Sequence, residues 1–320
     1  MRKLVIFLFV FLPFVSLAQR FKGYRYELVF AGGMSNFLGE LGGASQFGTH
    51  MFRDIDIRAT RFDLTTGLRY KFNDYYALRA NLTYAAMRGD DRWTTESFRH
   101  YRNLNFWSPI WEFSVNFEAS YMKEMRGRRY RMKGVKGRRG YELFPYIYAG
   151  LGVFHYEPRG YWDTTNVDNG YKAPSGKQWI RLRKLHTEGQ TNRKGSIPGV
   201  LSRKQYSGFS ICIPVGFGFK YILDRRWIMA LDYGVRYTFT DYIDDVSTTY
   251  IDPAILARQF SGSAAAQNAI NMSDRTNKKY ITITGPGAQR GDPRFNDAYL
   301  FVNLTFSYKL KTTTSNLPKF

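Results

Sequence analysis

The sequence predicts an all-β protein: an eight-stranded antiparallel transmembrane β-barrel with long extracellular loops. Three observations predict it: an export signal at the start, an aromatic content of 18% without a second long apolar run, and about eight long segments of alternating apolar and polar residues. Successive side chains of a strand point to opposite faces, so alternation places one face in lipid and the other in a polar lumen. A bilayer does not tolerate unpaired strand edges, which is why the sheet must close.

The first 18 residues predict a secretory signal peptide. Residues 1–3 include two basic side chains, residues 4–15 are apolar, and Ser16-Leu17-Ala18 has the small-x-small pattern of a cleavage site. The apolar run is shorter than the ~20 residues that a spanning helix needs. We therefore expect cleavage after Ala18, export to the outer membrane, and a barrel formed by residues 19–320.

The last predicted strand shows the pattern most simply. In residues 298–310, Leu304, Phe306 and Tyr308 share one parity, and Thr305 and Ser307 share the other. The same alternation recurs along the chain, with the apolar parity expected to face lipid. The predicted strands lie near residues 24–34, 61–72, 75–87, 110–122, 141–155, 208–223, 227–240 and 298–310.

The inward parity carries charges of both signs. An eight-stranded barrel is only wide enough for its own side chains, so these charges are expected to pair with one another and fill the lumen. This interpretation leaves no conducting pore and no catalytic role for them. The acidic members are Glu27, Asp63, Glu112, Glu118 and Asp232, and the basic members are Arg25, Arg69, Arg79, Lys220 and Arg236.

The connections between strands alternate in length, which predicts the orientation. Residues 35–60, 88–109, 156–207 and 241–297 are long connections, whereas 73–74 and 224–226 are short. Barrels of this class place long loops outside the cell and short turns in the periplasm.

One connection on the short side breaks this rule. Residues 123–140 number eighteen, of which nine are Lys or Arg and only Glu124 is acidic. Two interpretations remain open: a solvated basic linker, or a periplasmic docking site for an acidic partner. The candidate partner-binding residues are Lys123, Arg126, Arg128, Arg129, Arg131, Lys133, Lys136, Arg138 and Arg139.

Composition narrows the partners and the chemistry. The formal net charge of +21 would suit nucleic acid, but an exported chain meets anionic lipopolysaccharide, outer-membrane lipid or a periplasmic protein instead. The acidic segment with Asp241, Asp244 and Asp245 lacks the alternating spacing and the Glu of an EF-hand loop. No Ser/His/Asp arrangement has a recognisable spacing, and the single Cys212 cannot form an internal disulfide. We expect no enzyme, no metal and no cofactor.

Four segments then occur in a familiar order: residues 32–41, 185–190, 239–247 and 290–297. With them the chain resembles the PorG family, outer-membrane barrels associated with the type IX protein secretion system. The resemblance implies an accessory barrel, associated with a periplasmic ring built from the lipoprotein PorK and its partner PorN. The motif residues of this resemblance are Asn36, Gly39, Glu188, Gly189, Asp241, Tyr242, Asp244, Asp245, Arg290, Gly291 and Asp297.

Two other classes fit the same strands. One is a general structural or adhesive outer-membrane barrel whose loops bind surfaces. The other is an outer-membrane lipid hydrolase, which would need an outer-rim His and Ser to converge. Both remain alternatives to the secretion role.

Overall fold

A computed structural model describes residues 24–41, 57–94, 96–123, 143–161, 179–190, 203–224, 226–276 and 284–311. The predicted signal peptide lies outside these ranges. The described ranges contain ten strands: β1 (Tyr26–Leu38), β2 (Arg61–Lys71), β3 (Tyr76–Asp90), β4 (Asn105–Ser120), β5 (Leu143–Tyr156), β6 (Arg159–Tyr161), β7 (Trp179–Arg181), β8 (Phe209–Ile222), β9 (Trp227–Thr238) and β10 (Ala298–Leu310).

The eight long strands close into an antiparallel barrel, as the alternation predicts. Their order is β3-β2-β1-β10-β9-β8-β5-β4, and the pairing of β3 with β4 closes the ring. β10 has the predicted bounds, and it pairs with β1 from Tyr26↔Leu310 to Leu38↔Ala298. Other strands extend further at the outer end of the barrel than predicted. β1 continues to Leu38, and β4 already begins at Asn105.

Several short elements are not predicted from the sequence pattern. β6 and β7 extend the wall beyond β5, where Trp107 of β4 pairs with Arg159. The outer connections also contain α1 (Ser97–Arg102), α2 (Pro253–Ala257) and α3 (Ser263–Ser273). The two strands of three residues and the helices Ser97–Arg102 and Pro253–Ala257 are too short for a periodicity to be read, and Ser263–Ser273 has only about three turns. Among the described residues, no helix is long and apolar enough to cross a bilayer.

The barrel exterior is apolar along every long strand. Phe62, Phe113 and Leu151 are exposed by 62%, 55% and 66%, and similar side chains surround them on neighbouring strands. A contiguous apolar surface of this extent is not stable in water, because soluble proteins rarely expose such patches. The exterior therefore lies in lipid, and the fold is that of an outer-membrane β-barrel.

The lumen is filled by paired charges, as predicted. The Glu118 carboxylate lies 3.0 Å from Arg69 Nε, 2.9 Å from Arg79 Nε and 3.1 Å from Lys220 Nζ. Neighbouring pairs extend this group, which we call the lumen cluster: Glu27 with Arg69 and Lys71 at 2.9 and 2.8 Å, Asp232 with Arg79 at 3.0 Å, and Glu112 with Arg236 at 3.5 Å.

Two members of the predicted inward set differ from the rest. Asp63 is buried in the wall, but it forms no ion pair that the described residues show. Arg25 lies before β1 begins, and its guanidinium donates to the hydroxyl of Tyr70 at 3.3 Å. The expectation that Arg25 pairs with an acidic lumen residue is therefore wrong: β1 starts at Tyr26, two residues later than predicted, so Arg25 lies outside the strand.

The small inward side chains of β8 make room for two tyrosines from β5. A Cβ added at Gly216 would lie 2.5 Å from Tyr148 Cζ, and one at Gly218 would lie 2.8 Å from Tyr146 Cε1. Tyr146 in turn lies under the Lys220 ammonium, 4.3 Å from nitrogen to ring centre. The glycines thus permit aromatic rings to cover the cations of the lumen cluster.

Above the lumen cluster, the outer end of the barrel holds the main hydrophobic core. Tyr299 and Phe301 of β10 pack there with Phe154, and the Phe37 and Phe106 rings meet edge to face at 4.8 Å. This core extends into the outer connections through buried residues that include Leu41, Leu182, Leu185, Ile243, Val246, Leu256 and Met272.

Candidate functional site

The four motif segments meet at the outer end of the barrel. We call this assembly the outer cap and define it as residues 39–41, 187–190, 241–249 and 290–297. The segments are far apart in the sequence, yet hydrogen bonds and ion pairs join each of them to at least one other.

Glu188 is the centre of the cap. Its buried carboxylate accepts hydrogen bonds from the backbone N–H of Ser247 at 2.9 Å and from the Thr248 hydroxyl at 2.6 Å. It also forms an ion pair with Arg290, with 2.9 Å between Oε1 and Nη1. One side chain therefore joins three segments of the cap.

Asp245 is the second partner of Arg290. Its carboxylate accepts hydrogen bonds from the Thr187 hydroxyl at 2.5 Å and the Tyr206 hydroxyl at 2.6 Å, and lies 3.6 Å from Arg290 Nη2. The Tyr206 ring stacks on that of Tyr242 with 4.5 Å between centres. The motif residue Tyr242 therefore packs against the side chain that donates to Asp245.

Two further carboxylates connect the cap to the strand ends. Asp244 accepts a hydrogen bond from the backbone N–H of Leu41 at 3.2 Å, just beyond β1. Asp297 accepts one from the N–H of Ile243 at 2.9 Å, just before β10. Because β1 and β10 are neighbours in the barrel, these contacts hold the cap on their shared end. The motif residue Asn36 lies within β1 and donates to the Thr60 hydroxyl at 3.1 Å.

The motif glycines are required by the backbone or by close approach. Gly189 has φ = +79°, a conformation that other residues rarely adopt. A Cβ added at Gly291 would lie 2.7 Å from the backbone of Ser247, and one added at Gly39 would lie 2.5 Å from the Asp297 carboxylate. Gly39 and Gly291 thus each permit a close contact between two segments, and Gly189 permits the local backbone conformation.

Arg102 is a member of this network that the sequence does not reveal. It is the last residue of α1, is buried, and donates to the carbonyl oxygens of Arg290 at 2.7 Å and Glu40 at 3.1 Å. Its charge is balanced by Asp91 at 2.8 Å. A single arginine in a polar loop has no distinguishing sequence pattern, so only the fold identifies its role.

Several carboxyl groups of the cap have a raised pKa. Burial raises the pKa of Glu40 to about 7 and that of Asp245 to about 6, although Arg102 and Arg290 act in the opposite direction. Burial and mutual repulsion raise the pKa of Asp241, Asp244 and Asp297 well above the ordinary aspartate value. These carboxyl groups therefore favour their protonated forms at a pH where an exposed aspartate is ionised.

The contacts described in the cap are hydrogen bonds and ion pairs among its own residues. Within the described ranges, no group of three or more His, Cys, Asp or Glu side chains is placed to hold a metal ion. The described histidines contact aromatic rings at three separate places: His100 with Tyr101, His155 with Phe209, and His186 with Phe260.

The first residue of the basic connection, Lys123, lies at the other end of the barrel. Lys123 follows β4 and forms an ion pair with Asp74 in the turn between β2 and β3, at 2.6 Å. The other candidate partner-binding residues, from Arg126 to Arg139, lie outside the described residues. The structure thus places the first residue of this connection on the side of the short turns, away from the cap.

Comparison with solved structures finds several outer-membrane proteins that are similar to this chain. The chain is similar to Neisserial surface protein A (TM-score 0.34, 11% identity, covering 89% of this chain and 96% of the other). It is also similar to OprG from Pseudomonas aeruginosa, with a TM-score of 0.33 and 10% identity, covering 90% of this chain and 98% of the other. A major outer membrane protein from Thermus thermophilus has a TM-score of 0.36 and 13% identity, with 89% of this chain and 99% of the other covered. Likenesses this distant carry no argument about function. No curated protein matches the chain.

A family model described as "Domain of unknown function (DUF6089)" matches residues 2–174. This span is more than half of the chain and includes β1 to β6, with the first of the four motif segments. The other three motif segments lie beyond it. The description names neither the PorG family nor a secretion system, so the resemblance to PorG stays a prediction.

Proposed function

The chain belongs to the DUF6089 family, and from this premise we propose that it is a non-enzymatic accessory barrel of type IX protein secretion, which docks a periplasmic ring of PorK and PorN type. The observation that carries the proposal is the outer cap. The segments on which the PorG resemblance rests form one buried network around Glu188 and Arg290. Residues that form one network are expected to occur together throughout a family. Their contacts therefore support the view that the resemblance is not a chance match.

The lumen supports an accessory role rather than that of the secretion pore. Glu118, Arg69, Arg79 and Lys220 occupy the interior, and the buried rings of Tyr146 and Tyr148 lie beside them. A barrel of this size has room only for its own side chains. A folded cargo protein could not pass through it.

We assign the docking surface to the basic connection at residues 123–140. Lys123 lies on the side of the short turns, which is the periplasmic side in barrels of this class. A segment of net charge +8 gains affinity and association rate from an acidic surface, and salt should weaken the contact over a Debye length of ~8–10 Å.

The test is co-purification of the ring proteins with the full-length barrel from detergent extracts. A variant with Arg126, Arg128, Arg129, Arg131, Arg138 and Arg139 changed to Gln should lose both ring proteins, while the barrel still inserts and resists heat in detergent. Single substitutions should have little effect, because an exposed charge contributes roughly 0–1 kcal/mol. The control changes exposed basic residues on the cap side: Lys204→Gln, Arg258→Gln and Arg294→Gln.

Three outcomes are informative. Loss of the ring proteins only in the six-residue variant supports docking at the basic connection. Equal recovery from the variant and the parent at low salt would overturn that docking site. If the parent itself recovers no ring protein, the secretion role fails, and the structural or adhesive barrel becomes the better assignment.

A further inference from the structure

The barrel wall continues beyond the membrane on the cap side, and its outward face carries a row of arginines and tryptophans. We propose that this row binds the phosphate groups of lipopolysaccharide in the outer leaflet. The arginine–tryptophan row is defined as Arg88 of β3, Trp107 of β4, Arg159 of β6, and Trp179 and Arg181 of β7.

Strand register places the members of the row side by side. Arg88 pairs with Trp107, Trp107 with Arg159, and Arg159 with Arg181. Residues directly opposite each other on antiparallel strands share a face, with their Cβ atoms roughly 4.5–5.5 Å apart. The row therefore crosses four strands, a width of about 14 Å at the usual strand spacing.

The residues that alternate with the row point inward, which fixes its direction. Phe106 is fully buried against Phe37, and Ile180 packs on the same core. Gly160 is buried beside the guanidinium of Arg275. Since neighbouring positions in a strand face opposite sides, Trp107, Arg159 and Arg181 face outward. The side chains of Arg159 and Arg181 are 31% and 51% exposed.

The guanidinium groups are held in place, and their charges are only partly balanced. Arg159 lies over the Trp107 ring at 5.3 Å, and Arg88 lies over the Trp93 ring at 5.1 Å. Among the described residues, the carboxylate near Arg159 and Arg181 is that of Glu157, at 3.9 and 3.4 Å.

The nearby charges leave a positive surface. The neighbouring Asp90 carboxylate binds Arg92 at 2.6 Å, so these two charges cancel. The three guanidinium groups of the row against the one carboxylate of Glu157 then leave a local charge of +2. Guanidinium groups bind phosphate through paired, charge-assisted hydrogen bonds, and aromatic rings nearby suit the edge of an acyl layer.

The position of the row along the membrane normal indicates which ligand it can bind. Tyr84 and Trp111, whose rings are 4.9 Å apart, face lipid and mark the interface on β3 and β4. Arg88 and Trp107 lie four residues further out, about 13 Å along the strand and about 10 Å along the membrane normal at the usual tilt. That is the level of the head groups in the outer leaflet. With the long loops outside, the phosphates at this level belong to lipopolysaccharide.

The experiment is native mass spectrometry of the full-length barrel titrated with lipid A that carries two phosphates. The row variant is Arg88→Gln/Arg159→Gln/Arg181→Gln, and the matched control with the same loss of charge is Lys204→Gln/Arg258→Gln/Arg294→Gln. We expect at least a roughly tenfold weaker binding by the row variant, because three charge-assisted contacts are lost. The control should bind like the parent.

Three additional ligands distinguish the source of the phosphate. Dephosphorylated lipid A, phosphatidylglycerol and inorganic phosphate should all bind the parent weakly. Equal binding of intact and dephosphorylated lipid A, or of phosphatidylglycerol, would overturn the proposal, as would equal binding by the row variant and the parent. If the row variant does not fold, Arg181→Gln alone, in the exposed hairpin, should still weaken binding of intact lipid A about threefold, and unchanged binding would overturn the proposal.

Discussion

The lumen cluster and the outer cap are both buried and both rich in charge, but their charges are balanced differently. In the lumen cluster, Glu118 lies within 3.1 Å of three cations, and each cation extends from a strand of the wall. In the cap, Arg290 forms ion pairs with Glu188 and Asp245. No ion pair to Asp241, Asp244 or Asp297 is found in the described part of the chain. The first arrangement pairs carboxylates with cations, whereas the second leaves buried carboxyl groups that favour their protonated forms.

The two regions also differ in how they are held. Lumen side chains are fixed by strands whose backbone hydrogen bonds already define the barrel. Cap residues have little regular structure around them, so side-chain oxygens must satisfy backbone N–H groups, as Glu188 does for Ser247. Substitutions in the lumen cluster should therefore destabilise the whole barrel, and substitutions in the cap should destabilise only the cap.

The largest expected effect is that of Glu118→Ala in the lumen. Removal of this carboxylate leaves three buried cations without compensation, and breaking a buried ion pair costs about 3–5 kcal/mol. The variant should lose the compact, heat-resistant form of the barrel on cold gel electrophoresis. Ser114→Ala, another buried lumen position, serves as control. Equal heat resistance of the two variants would show that the lumen cluster does not stabilise the barrel.

Glu188→Ala should open the cap and spare the barrel. Arg290 would lose its closest carboxylate, and two backbone N–H groups would lose their acceptor, at a local cost of about 3 kcal/mol. Hydrogen exchange of residues 241–249 should accelerate, while amides of the strands stay protected and the gel mobility stays that of the parent. Glu188→Gln keeps an acceptor and should have a smaller effect. Loss of the whole barrel in either variant would contradict a local role for the cap.

The comparison assumes that the wall lies in lipid, and Phe117→Arg tests that assumption. Phe117 is 44% exposed on the outer face, where a charge at mid-depth costs roughly 2–4 kcal/mol, so insertion into the membrane should fall. Asn116→Asp, its neighbour on the lumen face, should be milder because Asn116 is surrounded by polar groups. Insertion yields measured for both variants decide the question: equal tolerance would refute the assignment of two different faces to β4.

The smallest expected effect concerns pH and distinguishes the two regions. The pKa of Glu40 is raised from 4.5 to about 7, so the folded cap binds this proton more tightly than the unfolded chain does. Its stabilising contribution is complete below pH 4.5 and is lost as the pH rises through about 7; Asp245 acts in the same direction between 3.8 and about 6. Hydrogen exchange in the cap, corrected for the intrinsic rate, should therefore accelerate as the pH rises.

Glu40→Gln should flatten that pH dependence, since the glutamine carries no charge at any pH. The strand amides around the lumen cluster provide an internal reference and should not respond. A cap that becomes better protected as the pH rises would reverse the sign expected from burial of its carboxyl groups.

The amino-acid sequence by itself determines the strands, their two faces and the pairing of charges in the lumen. The alternation in 110–122 identifies Glu112 and Glu118 as inward, and in a narrow barrel inward charges have no neighbours except one another. Such inferences succeed because the strand period is local and the bilayer imposes the same polarity on every strand. The sequence also identifies the motif residues, but only as a resemblance and without their contacts.

Only the tertiary structure decides what those residues do together. Glu188 meets Ser247 and Arg290 because the closed barrel brings four distant outer connections to one end. Arg102 joins them without any sequence signal, and Arg159 and Trp107 become neighbours through a pairing of strands 52 residues apart in the numbering. Contacts of this kind depend on loop closure and on register between strands. Neither is encoded in the local period of hydrophobicity, so the cap and the arginine–tryptophan row emerge only when the chain is folded.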